Sequence, residues 1–276
     1  LDEEITSLKL NKYNLDNEVL WNIGFKGGKM SLDSNGEFKK LNIPSYNYKI
    51  PYNYGITREE ARKTARELLI KYFPSKNTDE YELVRLDRNM ETDEGSYIWY
   101  ATFYKKYGEL LNRHETIDIG WIPTINGLYN LRVEDSKYKN NELIISQDEA
   151  IRIATEKDRQ IATRYSISSV EANLGIDKMN ADLMCREKDI DAYDKGPKYL
   201  KRYENGNEVV YKVEERVRKI WEVTIFYNEY DEENVQKRYV YFVDATTGEL
   251  IGGARHYGSV KYIELLKSSP DNLIEK

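Results

Sequence analysis

The sequence predicts an α+β protein of tandem units, each one helix packed on an antiparallel β-sheet, with the first unit lacking its helix. Three observations carry that prediction. Tryptophan-led strands recur, as Trp21-Asn-Ile23-Gly-Phe25, Trp99-Tyr-Ala101-Thr-Phe103 and Trp221-Glu-Val223-Thr-Ile225. A turn follows each of them. Two helix starts, Ile56-Thr57-Arg-Glu-Glu60-Ala61 and Ile145-Ser146-Gln-Asp-Glu149-Ala150, match position for position.

In each tryptophan strand apolar residues stand at every second position, which places Trp21, Trp99 and Trp221 on a buried strand face. The turns are Leu32-Asp33-Ser-Asn-Gly36-Glu, then Trp121-Ile-Pro123-Thr-Ile-Asn126-Gly127, then Val243-Asp244-Ala-Thr-Thr-Gly248-Glu249. Asp33 and Asp244 open their turns, and Gly36, Gly127 and Gly248 close them where a positive φ is expected. Pro123 replaces the turn aspartate in the middle copy, so that turn is expected to differ in type. All these residues are read as structural.

Thr57 with Glu60, and Ser146 with Glu149, are capping boxes, in which hydroxyl and carboxylate each bind an N–H that a helix start leaves free. The first helix then shows an apolar stripe of Ala61, Ala65, Leu68, Leu69 and Tyr72, ended by Phe73-Pro74. The second keeps Ala150, Ile153, Ala154 and Ile161, but Lys157 and Asp158 stand where the first has leucines. Its docking is expected to be shallower.

The helix starts lie 89 residues apart and the corresponding strand starts, Ile98 and Ile220, lie 122 apart, which implies a 33-residue insertion at about 181–219. Within it Lys198–Tyr203 and Glu208–Val213 flank Asn205-Gly206-Asn207, a hairpin signal. The predicted organisation is a strands-only partial unit at 1–55, a unit at 56–144, a unit with the insertion at 145–260, and a tail at 261–276. The same register places Ile5 and Leu8 over Leu83 and Leu86, which predicts that the chain opens partway through a unit whose helix lies upstream of Leu1 or has been lost.

The chain has 276 residues, 42 basic and 48 acidic, for a formal charge of −6. That balance, without a basic stripe, argues against nucleic acid. No run approaches the ~18 apolar residues of a membrane helix. The 24 tyrosines are read as a compositional trait alongside the abundant Lys, Asn and Ile. Cys185 is the one cysteine, so no internal disulfide forms.

Catalytic patterns are missing from the sequence. His114 and His256 fit no zinc-helix spacing, and Cys185 has no motif around it. Asp189-Ile-Asp191-Ala-Tyr-Asp194 lacks the glycine of a calcium loop. Asp231-Glu-Glu233 reads as an exposed hairpin tip. No catalytic, cofactor-binding or metal-binding residue is assigned, and no cofactor is expected.

The capped Ile-(Ser/Thr)-x-x-Glu-Ala helix, the tryptophan strand and the Val-Asp-Ala-Thr-Thr-Gly-Glu-Leu turn together resemble the PepSY domain, named for peptidase propeptides and YpeB. The arrangement looks most like YcdB/YcdC-type repeat proteins of Gram-positive bacteria. The resemblance spans about Ile5 to Gly253, and departs from the pattern at Pro123, at Lys157 and Asp158, and at the insertion. It implies an extracellular or cell-envelope location, a protein partner and a role in regulating or inhibiting a peptidase. It supplies no catalytic residues. The expected function is a non-catalytic extracytoplasmic binding module, contacting its partner through a free strand edge or through a hairpin bearing Tyr199, Tyr203, Asn205, Gly206 and Tyr211. A structural spacer of an envelope protein, or an uncharacterised hydrolase with converging carboxylates, are the alternatives.

Overall fold

Residues alternating between apolar and polar favour extended chain, and strands dominate this protein. The structure, a computed structural model, describes residues 5–13, 18–43, 56–90, 97–123, 127–162, 165–179, 199–204, 207–212, 216–230 and 234–255. The chain divides into two compact units, Leu1–Asp135 and Ser136–Lys276. Unit 1 contains β1 (Ile5–Tyr13), β2 (Glu18–Phe25), β3 (Gly28–Asp33), β4 (Phe38–Asn42), α1 (Arg58–Tyr72), β5 (Tyr81–Met90), β6 (Tyr97–Tyr107), β7 (Leu110–Ile122) and β8 (Gly127–Asp135). Unit 2 contains α2 (Gln147–Ile161), β9 (Ile167–Asp177), β10 (Tyr199–Glu204), β11 (Asn207–Lys212), β12 (Arg218–Tyr230), β13 (Gln236–Asp244) and β14 (Leu250–Arg255).

The expected architecture, tandem units with a helix on each sheet, is overturned. β4 pairs antiparallel with β8 through Lys40↔Arg132, Leu41↔Leu131 and Asn42↔Asn130. The strands of the first two expected units therefore run together as one sheet, ordered β1-β2-β3-β4-β8-β7-β6-β5. In unit 2 β9, β12, β13 and β14 are neighbours in that order, and β10-β11 is a separate hairpin. Twelve sheet strands thus stand against two α-helices among the described residues. The physical reason lies at β4 and β8. Each ends a run of hairpins with open backbone groups and an inward leucine, and pairing the two edges satisfies the backbone. It also brings Leu41 and Leu131 into the core under α1.

Recurrence persists at the level of strand register. β1 pairs with β2 through Ile5↔Phe25 and Leu8↔Ile23, with a bulge before Ser7. β5 pairs with β6 through Leu83↔Phe103 and Leu86↔Ala101, with a bulge before Arg85. A shift of 78 residues, the distance from Trp21 to Trp99, superposes these pairings and the bulge.

Helix α1 begins with a complete capping box: the Glu60 N–H donates to Thr57 Oγ1 at 3.2 Å, and the Thr57 N–H donates to Glu60 Oε2 at 2.8 Å. Ala61, Ala65, Leu68 and Leu69 face the sheet, packing with Trp99, Phe103 and Ile119. The two alanines allow the helix backbone to approach closely, and each buried leucine contributes roughly 1.5–3 kcal/mol. The C-cap residue Phe73 completes the stripe, edge-on to Phe38 at 6.2 Å between ring centroids. Tyr72, expected in that stripe, lies 38% exposed.

The box at α2 is only half formed. Ser146 Oγ accepts the Glu149 N–H at 3.2 Å, whereas the Glu149 carboxylate turns to the Arg152 guanidinium at 2.7 and 2.9 Å. Glu60→Ala should therefore lower the melting temperature more than Glu149→Ala. Thr57→Ala and Ser146→Ala should cost similar amounts, about 1 kcal/mol each. Thermal melts of the four variants check this ordering.

Helix α2 does not dock as its sequence suggests. Ala150 and Ala154 are fully buried, packed with Val223, Ile225 and Tyr241. Asp158 is buried as well, and its Oδ1 accepts the hydroxyls of both Tyr227 and Tyr241 at 2.6 Å. A polar residue at that point of the stripe joins helix to sheet, where a shallow contact was expected.

Candidate functional site

The turn residues come first because their pattern is the most specific in the sequence. In the first turn Asp33 Oδ1 accepts the N–H groups of Asn35 and Glu37, both at 2.9 Å. Partial burial works to raise the Asp33 pKa, but these two donors and Lys39 leave it lowered. Gly36 closes the turn at φ +83°, a conformation L side chains avoid. In the third turn Asp244 Oδ1 accepts from Thr246 N at 2.8 Å and Thr247 N at 3.0 Å, and Gly248 sits at φ +74°. The Glu249 carbonyl accepts the Asp244 N–H at 2.8 Å, closing the turn. The middle turn is different. Gly127 opens β8 opposite Ile122 and is not among the positive-φ glycines, while Asn126 lies outside the described residues.

The third turn also holds the chain entering α2. The N–H groups of Ile144 and Ile145 donate to the Ala245 carbonyl at 2.9 Å, and Asn141 Nδ2 donates to Thr246 Oγ1 at 2.8 Å. Trp221 Nε1 donates to the Ile145 carbonyl at 2.8 Å. Asp244 is further bound through Oδ2 to Arg218 Nη1 at 3.0 Å, a nearly fully buried ion pair.

Trp21 and Trp221 share a hairpin register, each opposite the residue just before its turn aspartate (Trp21↔Leu32, Trp221↔Val243), whereas Trp99 pairs with Trp121, two residues before Pro123. Their surroundings differ. Trp99 is buried and stacked on Trp121 at 6.4 Å, whereas Trp21 and Trp221 are half-buried.

The turn pattern singles out Asp244 but not its burial, and no pattern in the sequence points to buried Glu115. Glu115 lies within an irregularity, between the Tyr104↔Thr116 and Lys105↔Asn112 pairs. It accepts from Tyr107 Oη at 2.5 Å and Lys105 Nζ at 3.1 Å. Burial, reinforced by the Glu115 charge, pushes the Tyr81 hydroxyl up to about 12. Burial acts to lower the Lys105 pKa, but the hydrogen bond and charge of Glu115 leave it raised. Lys105 and Tyr107 thus act on Glu115 as hydrogen-bond donors. Glu115, Asp158 and Asp244 each bind their own set of donors within their own unit, and each braces the core around it. His114, beside Glu115, donates its backbone N–H to Asn112 Oδ1 at 3.0 Å.

The hairpin at the insertion forms, with β10 and β11 in register from Tyr199↔Lys212 through Leu200↔Tyr211 and Tyr203↔Glu208 to Glu204↔Asn207. Its tip, Asn205-Gly206, lies outside the described residues, as do Cys185, His256, Asp189, Asp191, Asp194, Asp231 and Glu233.

Among the described residues, β1, at one end of the unit 1 sheet, carries a run of exposed apolar side chains. Ile5, Leu8 and Leu10 are 62%, 59% and 52% exposed. Leu8 and Leu10 lie opposite Ile23 and Trp21 of β2, so the apolar surface continues inward from the edge. An edge strand carries unpaired N–H and C=O groups, and apolar side chains beside them favour a partner strand. No helix among the described residues is long and apolar enough to cross a membrane.

No protein-family model matches the chain, and no curated protein matches it. Among solved structures it is similar to the Bacillus megaterium YpeB C-terminal domain, at 9% identity over 91% of this chain and 90% of that one, with a TM-score of 0.40.

Proposed function

We propose that this chain is a non-catalytic binding module that acts outside the cytoplasm and regulates or inhibits a secreted or envelope peptidase, in the manner implied by its resemblance to PepSY and YcdB/YcdC-type proteins. The observation that carries the reading is β1: three large apolar side chains more than half exposed on a strand at the end of its sheet. Such an edge accepts an extended segment of another protein by main-chain pairing, with alternate side chains supplying specificity.

The test is direct. The purified chain is incubated with the peptidases secreted by its source, and both retention and residual activity are measured. Retention with lowered activity is expected. Leu8→Lys/Leu10→Lys, which alters two exposed positions, should abolish retention and leave the melting temperature within about 2 °C, since exposed substitutions rarely exceed 0.5 kcal/mol. If no peptidase is held or slowed, the peptidase reading fails. If the double variant retains as well as the parent, the β1 edge is not the contact. The β10-β11 hairpin offers a second contact, because its two strands form a sheet of their own. Deleting residues 198–213 should weaken retention if the hairpin shares the interface.

A further inference from the structure

The α1 side of the unit 1 sheet is covered over only part of its width. Cross-strand partners share a face, so the pairs Leu8↔Ile23, Ile23↔Met30 and Met30↔Leu41 carry that side from β1 to β4, where Leu41 enters the core beneath α1. A neighbouring row runs Leu10↔Trp21 and Trp21↔Leu32. Met30 still packs against the α1 core, but Leu8, Leu10, Trp21, Ile23 and Leu32 belong to no buried cluster among the described residues. Leu8 and Leu10 are more than half exposed, and the other three are half-buried. The cause is dimensional. A helix about 10 Å across shelters about two or three strands at their ~4.8 Å spacing, whereas an eight-stranded sheet spans about 34 Å. α1 lies against β6 and β7, and its shelter ends before β1.

The covered end of the same sheet shows what such a surface takes. The 78-residue shift sets Leu8, Trp21 and Ile23 on Leu86, Trp99 and Ala101, and the strand partners Met30 and Leu32 then fall on Ile119 and Trp121. Beneath α1, Leu86, Trp99, Ala101, Ile119 and Trp121 are each at most 4% exposed. Ile23 is bulkier than Ala101 and Leu32 is smaller than Trp121, so the two exchanges offset each other in volume. The complement at the covered end is a helix whose inner stripe is Ala61, Ala65, Leu68 and Leu69. Leaving the matching surface open keeps large apolar side chains in water, and burying them is favourable in proportion to their area.

We propose that the open face of β1, β2 and β3 docks an amphipathic helix of a partner protein, one that presents two small residues a turn apart followed by a pair of leucines, as Ala61, Ala65, Leu68 and Leu69 stand in α1. Recognition is by the side chains of the face. It is therefore distinct from main-chain pairing at the β1 edge and does not depend on the partner being a peptidase.

The probe is a synthetic peptide with the sequence of residues 56–73, acetylated and amidated at its ends, titrated into the ¹⁵N-labelled full chain. Free in water a peptide of this length is only marginally helical. Saturable shifts are expected at the amides of Leu8, Trp21, Ile23 and Leu32, with a gain in helical circular dichroism beyond the sum of the parts. The amides of Phe103 and Ile119, beneath the resident α1, should stay in place. In the peptide, Leu68→Ser/Leu69→Ser should weaken binding at least tenfold. Ile70→Ser, at a position that α1 leaves 52% exposed, should leave affinity within about twofold. In the chain, Ile23→Glu lies on β2 and keeps the β1 main chain open, so it separates this face from the edge; it should also weaken binding at least tenfold, with unchanged β5–β8 amides showing that the variant is folded. The proposal is overturned if the peptide does not bind, if its double serine variant binds like the parent, or if the shifts fall on Phe103 and Ile119, which would mean exchange with α1. Shifts confined to β1 without a gain in helix would assign the surface to an extended strand and overturn the helix.

Discussion

Asp158→Ala is expected to lower the stability of unit 2 by about 3 kcal/mol, because it strands two buried tyrosine hydroxyls at a cost of roughly 1–3 kcal/mol each. Both hydroxyls, of Tyr227 and Tyr241, donate to the same carboxylate oxygen at 2.6 Å, and the Asp158 side chain is closed off from solvent. For a domain near this size the loss corresponds to roughly 6–12 °C in melting temperature. Asp158→Asn keeps an acceptor oxygen in place and should cost about 1 kcal/mol. The triple change Asp158→Leu/Tyr227→Phe/Tyr241→Phe removes donors and acceptor together, and replacing both sides of a buried hydrogen bond by apolar groups is close to neutral. The triple variant should therefore melt above Asp158→Ala, although it carries two more substitutions. Calorimetric melts decide the matter. A triple variant less stable than the single alanine would mean that Asp158 acts through contacts other than these two.

The same residue shows where the sequence is legible and where it is not. Alternation made the tryptophan strands readable, and the offset between Trp21 and Trp99 carried Ile5 and Leu8 onto Leu83 and Leu86 in register. These are local patterns, set by which side of a strand each residue faces. Asp158 looked like a gap in an apolar stripe because its partners lie 69 and 83 residues further along the chain. A signal was present, since Tyr227 continues the inward series Val223, Ile225 on β12 and Tyr241 lies opposite Val223 on β13, and buried tyrosines need acceptors. Arg218 is illegible for a similar reason: it falls at the margin of the insertion, and the local turn accounts for its partner Asp244 without it. The joining of β4 to β8 had no local signal. Either strand, read alone, could have been an edge, and only the leucines that meet under α1 decide between them. At Glu115 the sequence shows one more charged residue in a strand, and the departure from regular pairing that turns it inward is visible only in the register.

Removing either member of the Arg218–Asp244 pair should cost about 3–5 kcal/mol, the range for leaving a buried charge without its partner. Asp244→Ala should be the more damaging, because Oδ1 also holds the N–H groups of Thr246 and Thr247 and, through that turn, the chain entering α2. The pH dependence separates this role from simple packing. Burial raises the Asp244 pKa, but the hydrogen bonds from Thr246 and Thr247 and the charge of Arg218 outweigh it, and the net shift is downward. A carboxylate whose folded pKa lies below its unfolded value, near 3.9, stabilises the fold fully above that value. The contribution is lost as pH falls through the folded pKa. The gap in stability between the parent and Asp244→Asn should accordingly be widest at neutral pH and close steadily in strong acid. Arg218→Met, which withdraws the cation and leaves the turn donors, should move the acid limb of the stability curve to higher pH. Urea midpoints at neutral pH and across the acid range measure both effects. A parent-to-Asp244→Asn gap that stays constant with pH would show that the carboxylate's charge contributes nothing, and that shape and turn geometry alone account for its place.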